Sequence, residues 1–223
     1  MAVGTGASTT ALVYHADQPA TAALILGHGA GAGQHSGFMV EFATALSRLG
    51  LDVVTFNFLY TEQKRRLPDR APALEECYRS VIEIARAQLE SARQALFIGG
   101  KSMGGRMATH VAAADAALPV AGLVLLGYPL HPPGQPLKRR DAHLPSVRRP
   151  MLFVQGSRDT FGTPEELAPI LARVSPSPTV HVIAGGDHSF KVSRNDPARQ
   201  PEVYAEIQRT IATWIATIRA GVT

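Results

Sequence analysis

The chain has 223 residues, 45% of them hydrophobic and 18% charged, with a formal net charge of +4. That composition supplies a core and excludes wholesale disorder, and no apolar run approaches the roughly 18 residues of a membrane span. A single cysteine, Cys77, excludes an internal disulfide framework and a cysteine-rich metal site.

Periodicity alternates strand and helix almost throughout. A first short segment, 11–15, reads as an added edge strand, and 22–26 as the first buried strand. A helical pattern over 38–49 ends at Gly50, a plausible helix stop, and leads to a strand at 53–58. The pattern then repeats: helix 74–89, strand 95–98, helix 103–114, strand 120–126. Strand 151–154, helix 164–174, strand 179–183 and a closing helix 201–218 complete it, with Pro164 and Pro201 in first-turn positions that tolerate proline. The strand runs are continuously apolar, as parallel strands covered on both faces require. Repeated β-α-β units predict an α/β fold with a doubly wound, mostly parallel sheet. No repeat or linker divides the chain, so residues 1–223 read as a single domain. The first ten residues lack the basic start and apolar stretch of a secretory signal, so a cytoplasmic location is expected.

The longest irregular stretch, 129–150, is rich in proline and arginine and reads as a loop or at most a small lid. Basic clusters at Lys64-Arg65-Arg66, Lys138-Arg139-Arg140 and Arg148-Arg149 lie in proline-containing stretches with few aromatics between them. Nucleic-acid grooves interleave basic and stacking residues, so these clusters read as solvated loops, or alternatively as attraction for an acidic substrate. Neither a nucleic-acid partner nor a membrane span is expected.

The chemistry concentrates in Leu96-Phe97-Ile98-Gly99-Gly100-Lys101-Ser102-Met103-Gly104-Gly105-Arg106, a G-x-S-x-G pattern between an apolar strand and a helix. That context is the nucleophile elbow: serine on a sharp turn whose neighbours two before and two after must be small. A P-loop reading of Gly100-Lys101-Ser102 fails, because position 95 is Ala95 and 96–98 are strand-like. Upstream, Gly27-His28-Gly29-Ala30-Gly31-Ala32-Gly33 follows a strand, and Gly27, Gly29 and Ala32 formally satisfy a dinucleotide fingerprint. That fingerprint wants an acid at the end of the next strand, whereas Asp52 opens it and Asn57 stands at the tip. The other reading is an oxyanion loop, with the Ala30 and Met103 N–H groups as the two donors and His28 orienting the loop.

A serine needs a base, and the base needs an orienting acid. Downstream of Ser102, Asp159 follows the 151–154 strand and His188 follows the 179–183 strand, both at the sheet edge where Ser102 emerges. His15 and His35 precede the serine, His110 lies in the helix after it, His131 and His143 lie in the irregular stretch, and His181 is mid-strand. Asp187 reads as a turn residue, and Glu165 and Glu166 as first-turn helix residues favoured by the dipole. His28, Gly29, Lys101 and Tyr128 are candidate substrate contacts; Arg106 could also reach the pocket, and Tyr60 could line it or cap the core. Cys77 reads as a buried small apolar residue.

These segments, with Gly156-Ser157-Arg158-Asp159 and Gly185-Gly186-Asp187-His188, resemble the α/β-hydrolases over nearly the whole chain. The Lys-Ser-Met-Gly-Gly-Arg elbow, and Pro68-Asp69-Arg70 leading to Leu74-Glu75, are similar to the small dienelactone-hydrolase-like branch that includes testis-expressed protein 30. Dienelactone hydrolases carry cysteine as nucleophile where this chain has Ser102. The resemblance implies hydrolysis of esters, thioesters, lactones or amides on a small-molecule or acyl-group substrate, a minimal core with little or no cap, and no metal or organic cofactor. Two rivals remain: a catalytically silent scaffold or binding domain on the same fold, and nucleotide binding through the Gly27–Gly33 loop.

Overall fold

The computed structural model describes residues 2–3, 6–192 and 199–221. Strands β1 (Ala2–Val3) and β2 (Ala7–Ser8) form a short hairpin, and seven strands form the main sheet. These are β3 (Ala11–Tyr14), β4 (Ala23–Gly27), β5 (Asp52–Phe56), β6 (Leu96–Lys101), β7 (Gly122–Leu126), β8 (Met151–Gly156) and β9 (Thr179–Ile183), in the order β3-β5-β4-β6-β7-β8-β9. Among the described residues of the main sheet only β3, the expected edge strand, pairs antiparallel, and the other pairs are parallel.

The helices among the described residues are α1 (Gly37–Arg48), α2 (Leu59–Glu62), α3 (Ala71–Gln88), α4 (Glu90–Gln94), α5 (Met103–Ala114) and α6 (Pro164–Leu171) between strands, and α7 (Arg199–Ala220) after the last of them. Successive strand residues point to opposite faces of a sheet, and here each face has its own core. Ala23, Ile25, Ile98, Leu123 and Leu125 pack with α3, α5 and α6. Leu24, Leu26, Phe97, Val124 and Leu126 pack with α1 and α7. The continuous apolar runs of the central strands follow from cover on both sides. Edge strand β9 departs from this, with Val180 40% and Val182 43% exposed, because nothing in the described residues covers that flank of its outer face.

Several boundaries differ from the sequence reading. β6 runs on through Gly99 and Gly100 to Lys101, glycines notwithstanding, because its backbone is paired on both sides by β4 and β7. α3 starts at Ala71, three residues early, with a proline in its first turn. The hairpin β1–β2, α2, α4 and a 3-10 turn at Leu144–Ser146 are too short to carry a periodic signal. α6 begins as expected at Pro164, secured by a capping box in which Thr163 accepts from the Glu166 amide and Glu166 accepts from the Thr163 amide.

The 129–150 stretch packs down onto the core: Leu130, Leu144 and Val147 are buried against the α3/α5 side. Its arginines serve local ends, Arg139 pairing with Asp141 and Arg149 donating to the carbonyls of Ala116 and Leu118. Cys77 is fully buried, which pushes its thiol up to about 12.

Helix α5 approaches β4 closely enough to leave no room for a side chain at Gly104. A Cβ built on Gly104 would stand 2.1 Å from the carbonyl oxygen of Gly27, where backbone blocks any relief. Gly104→Ala is therefore expected to lower stability by about 3 kcal/mol, read as a reduced urea midpoint; an unchanged midpoint would mean a looser helix–strand contact than described here.

Candidate active site

Ser102 joins the end of β6 to the start of α5 with φ 51° and ψ −113°. A non-glycine residue at positive φ is strained and persists only where its surroundings impose it. Here the constraint is double: the Ser102 amide donates to the Leu126 carbonyl at 2.9 Å, and its carbonyl accepts the first α5 bond from Arg106 at 3.0 Å. Gly100, at φ 151°, lets the strand pass Gly27, whose carbonyl oxygen would lie 2.2 Å from a Cβ there. The hydroxyl is thereby lifted clear of both neighbouring elements.

His188 lies in the turn after β9. Its Nε2 is 2.9 Å from the Ser102 Oγ, and its Nδ1 is 2.8 Å from Asp159 Oδ2. With a carboxylate facing Nδ1, that nitrogen carries the proton and donates, leaving the Nε2 lone pair for the serine hydroxyl. The turn is shaped by Asp187, whose Oδ1 accepts from the Ser189 and Lys191 amides at 2.7 and 2.9 Å, and anchored by fully buried Phe190. Phe161 stacks on the imidazole with centroids 4.1 Å apart.

Asp159, fully buried in the loop after β8, has every oxygen engaged. Oδ1 accepts from the Phe161 amide at 2.8 Å, and Oδ2 accepts from Gln155 Nε2 at 2.8 Å as well as from His188. Gln155 is itself locked, donating to the Gly162 carbonyl at 2.7 Å and accepting from the Tyr128 amide at 2.8 Å. The sequence reading overlooked Gln155. Its signal was there, a lone polar residue near the end of an apolar strand on the side of Asp159.

The loop after β4 supplies the other half. His28 is fully buried; its Nδ1–H donates to the Gly29 carbonyl at 2.8 Å, and Nε2 accepts from the Phe58 amide at 3.2 Å. Burial lowers its pKa, in keeping with this neutral tautomer. In a trans peptide the carbonyl and the following N–H point in opposite directions. Holding the Gly29 carbonyl therefore aims the Ala30 amide the other way. Asn57 steadies the loop's far end, its Oδ1 accepting from the Gln34 amide at 2.9 Å. Among the described residues the Ala30 amide makes no hydrogen bond, and the first amides of a helix, such as that of Met103, have no intrahelical acceptor.

A cleft of about 480 Å³ opens beside Ser102, lined by Gly29, Ala30, Lys101 and His188, with Phe38, Met39, Phe161 and Tyr204 as its apolar walls and Lys191 at the rim. Two sequence expectations need correction. His28 lies behind the loop and does not line the cleft. Tyr128 is 1% exposed, with its hydroxyl donating to the Arg140 carbonyl at 2.6 Å. Tyr60 is a core residue, and neither Arg106 nor any residue of 129–150 reaches the cleft. The Met103 side chain belongs to the α3/α5 core and does not line the cleft.

The dinucleotide reading of the glycine loop has no support in this arrangement. Asp52 is engaged at the opposite end of β5 by His15, the Ala16 amide and Ser91. α1 begins only at Gly37, whereas the fingerprint packs its last small residue inside the helix. Among the described residues, no group of three or more His, Cys, Asp or Glu could hold a metal ion, and no helix is long and apolar enough to cross a membrane.

Solved structures share this architecture. Dienelactone hydrolase from Anabaena variabilis aligns with a TM-score of 0.76 at 19% identity, over 97% of this chain and 94% of that one. A serine hydrolase without a lid from Xanthomonas campestris aligns at 0.68 and 22% identity, over 92% and 89%. The Butyrivibrio proteoclasticus protein Est1E, solved with ferulic acid bound, aligns at 0.75 and 15% identity, over 95% and 97%. Residues 20–216, which span the sheet from β4 to β9 and all seven helices up to the last turns of α7, match the family model for the alpha/beta hydrolase domain, and the chain belongs to that family.

Proposed function

We propose that the chain is a serine hydrolase that cleaves a carboxylic ester or thioester through an acyl-enzyme on Ser102. The observation that carries this reading is the unbroken hydrogen-bonded series from Ser102 Oγ through His188 to Asp159, at 2.9 and 2.8 Å. His188 Nε2 takes the hydroxyl proton as Oγ bonds to the acyl carbon, and returns it to the departing alkoxide or thiolate as that bond breaks. Water then repeats the sequence: Nε2 accepts its proton, the hydroxide attacks, and the proton passes to Ser102 as the acid leaves. Asp159 holds the Nδ1–H tautomer and faces the imidazolium that forms. The Ala30 and Met103 amides are the donors for the oxyanion. Every step uses groups of the chain itself, so the mechanism calls on no metal or organic cofactor.

The aromatic and methionine walls of the cleft favour an apolar acyl group, and Est1E's ferulic acid makes esters of aryl-bearing acids a natural part of the panel. The test is labelling with a fluorophosphonate followed by peptide mass spectrometry, then turnover of aryl and straight-chain esters and thioesters. Labelling confined to Ser102, and absent when the protein is denatured before the probe is added, supports the reading. Folded protein that takes no label overturns it and makes a silent scaffold the better description.

His28 supplies a separate prediction. His28→Ala frees the Gly29–Ala30 peptide and is expected to lower kcat by about ten- to a hundredfold with KM little changed, because the oxyanion exists only after attack. An equal rise in KM with kcat intact would place the loop in substrate binding instead.

A further inference from the structure

Lys101 ends β6 immediately before Ser102, and it is only 9% exposed. Its ammonium donates to the backbone carbonyl of His188 at 2.5 Å and lies 5.5 Å from the centroid of the Phe190 ring. Burying an ammonium costs free energy, and an apolar side chain of similar volume would fill the space without that cost. The charge therefore calls for a reason. The charged groups that bear on it favourably are the carboxylates of Asp159, after β8, and Asp187, after β9. From the ends of β4 and β7 it meets glycines, Gly29 and Gly127, and Lys191 stands across the same cleft. Among the described residues neither carboxylate comes within ion-pair distance, and its hydrogen bond goes to His188.

We propose that Lys101 is a positioning residue for His188: its ammonium fixes the main-chain carbonyl of the histidine whose ring holds the Ser102 hydroxyl. This rests on the reading of Ser102 and His188 as nucleophile and base. Consecutive residues then grip one histidine at two points, Lys101 through its backbone and Ser102 through its ring, closing a loop of contacts between β6 and the turn after β9. Asp187 and Phe190 shape that turn: Asp187 accepts from the amides of Ser189, Lys191 and Phe190 and donates its own to the Lys191 carbonyl, Phe190 accepts from Gln200, and none of these bonds uses the His188 carbonyl. A lost restraint on the ring converts directly into rate, since displacement of a reacting group by about 1 Å can cost two orders of magnitude.

The charge state of Lys101 gives the proposal its signature. Burial pushes the ammonium down to about 8, with Asp159 and Asp187 opposing the shift. As pH rises through that value the ammonium becomes an amine, and a charge-assisted hydrogen bond becomes a weaker neutral one. The sign for stability is opposite. A folded-state value below the ordinary lysine value of 10.5 means that the unfolded chain binds more protons in the window between, so this group raises stability as pH climbs from about 8 to 10.5. Activity should therefore fall on the basic side in a range where Lys101 does nothing to loosen the fold.

The test is the pH profile of kcat and KM for an aryl ester with the wild type, Lys101→Met and Lys101→Arg, each checked by thermal melting. In the wild type, kcat should fall above about pH 8 while the melting temperature holds. Lys101→Met should lose about ten- to a hundredfold in kcat at neutral pH with KM within about twofold, and its basic limb should vanish. Lys101→Arg, charged at every pH used, should recover part of the rate and stay flat. A wild-type profile without a basic limb overturns the proposal even if neither variant folds, and so does a Lys101→Met profile that superimposes on the wild type. Ser102→Ala in parallel separates the two readings: if it stays as active as the wild type, the nucleophile assignment itself fails, whereas an inactive Ser102→Ala beside an unaffected Lys101→Met removes only the role of Lys101.

Discussion

Ser102→Ala is expected to cut ester turnover by about ten-thousand- to a million-fold while leaving the melting temperature within a degree or two of the wild type. On the proposed mechanism the size of the loss follows from what the hydroxyl would do: without it no acyl-enzyme forms, and His188 can at best activate water from the same position. The remaining rate would come from the oxyanion donors and from substrate positioning. The fold should not notice, because alanine meets the φ of 51° with the same Cβ that serine has, and the Ser102 backbone bonds to Leu126 and Arg106 are untouched. Rate and stability are measured on one preparation, so the outcome is unambiguous. Retention of turnover within about tenfold of the wild type would remove Ser102 from the chemistry.

How much of this was legible in the sequence depends on the distance over which each feature is specified. The elbow is local: strand, small residues and helix all lie within Leu96–Arg106, and the strain at Ser102 is the price of that short turn. Asp159 and His188 were legible for a different reason. Each follows an apolar run, and parallel strands deliver their C-terminal ends to one edge, so order along the chain translates into proximity. The structure accordingly brings Ser102, Asp159 and His188 into one hydrogen-bonded series.

What stayed hidden depends on packing between distant elements. Phe38 and Tyr204 read only as apolar faces of two helices; that both reach the cleft follows from α1 and α7 sharing one side of the sheet. Tyr128 sits at a strand end like the residues that matter, yet it turns into the core because Arg140, from the packed-down 129–150 stretch, offers its carbonyl there. Lys101 read as a candidate substrate contact, and the geometry adds a main-chain oxygen, that of His188, as the partner of its ammonium, which no side-chain pattern could reveal.

Asp159→Asn is the more discriminating of the large perturbations, since it changes one atom and no volume. The carboxylate accepts at both oxygens: Oδ1 from the Phe161 amide, Oδ2 from Gln155 and His188. An asparagine that keeps its oxygen toward Phe161 places its NH₂ group against the Gln155 Nε2 donor and against His188 Nδ1. The histidine must then give up the Nδ1 proton and become the Nε2–H tautomer, which has no lone pair to take the serine proton. Flipping the amide restores the histidine but sets the NH₂ against the Phe161 amide, leaving a buried donor facing a donor at a cost of about 1–3 kcal/mol. Both orientations are penalised, and the first disables the base outright. We expect kcat to fall by about ten-thousand-fold at neutral pH, with KM nearly unchanged and a melting temperature lowered by several degrees. Part of the rate should return at high pH, where hydroxide takes the serine proton without the histidine. A variant that keeps most of its activity at neutral pH would show that the base needs no orienting carboxylate, and the assignment of Asp159 would have to be withdrawn while that of Ser102 could stand.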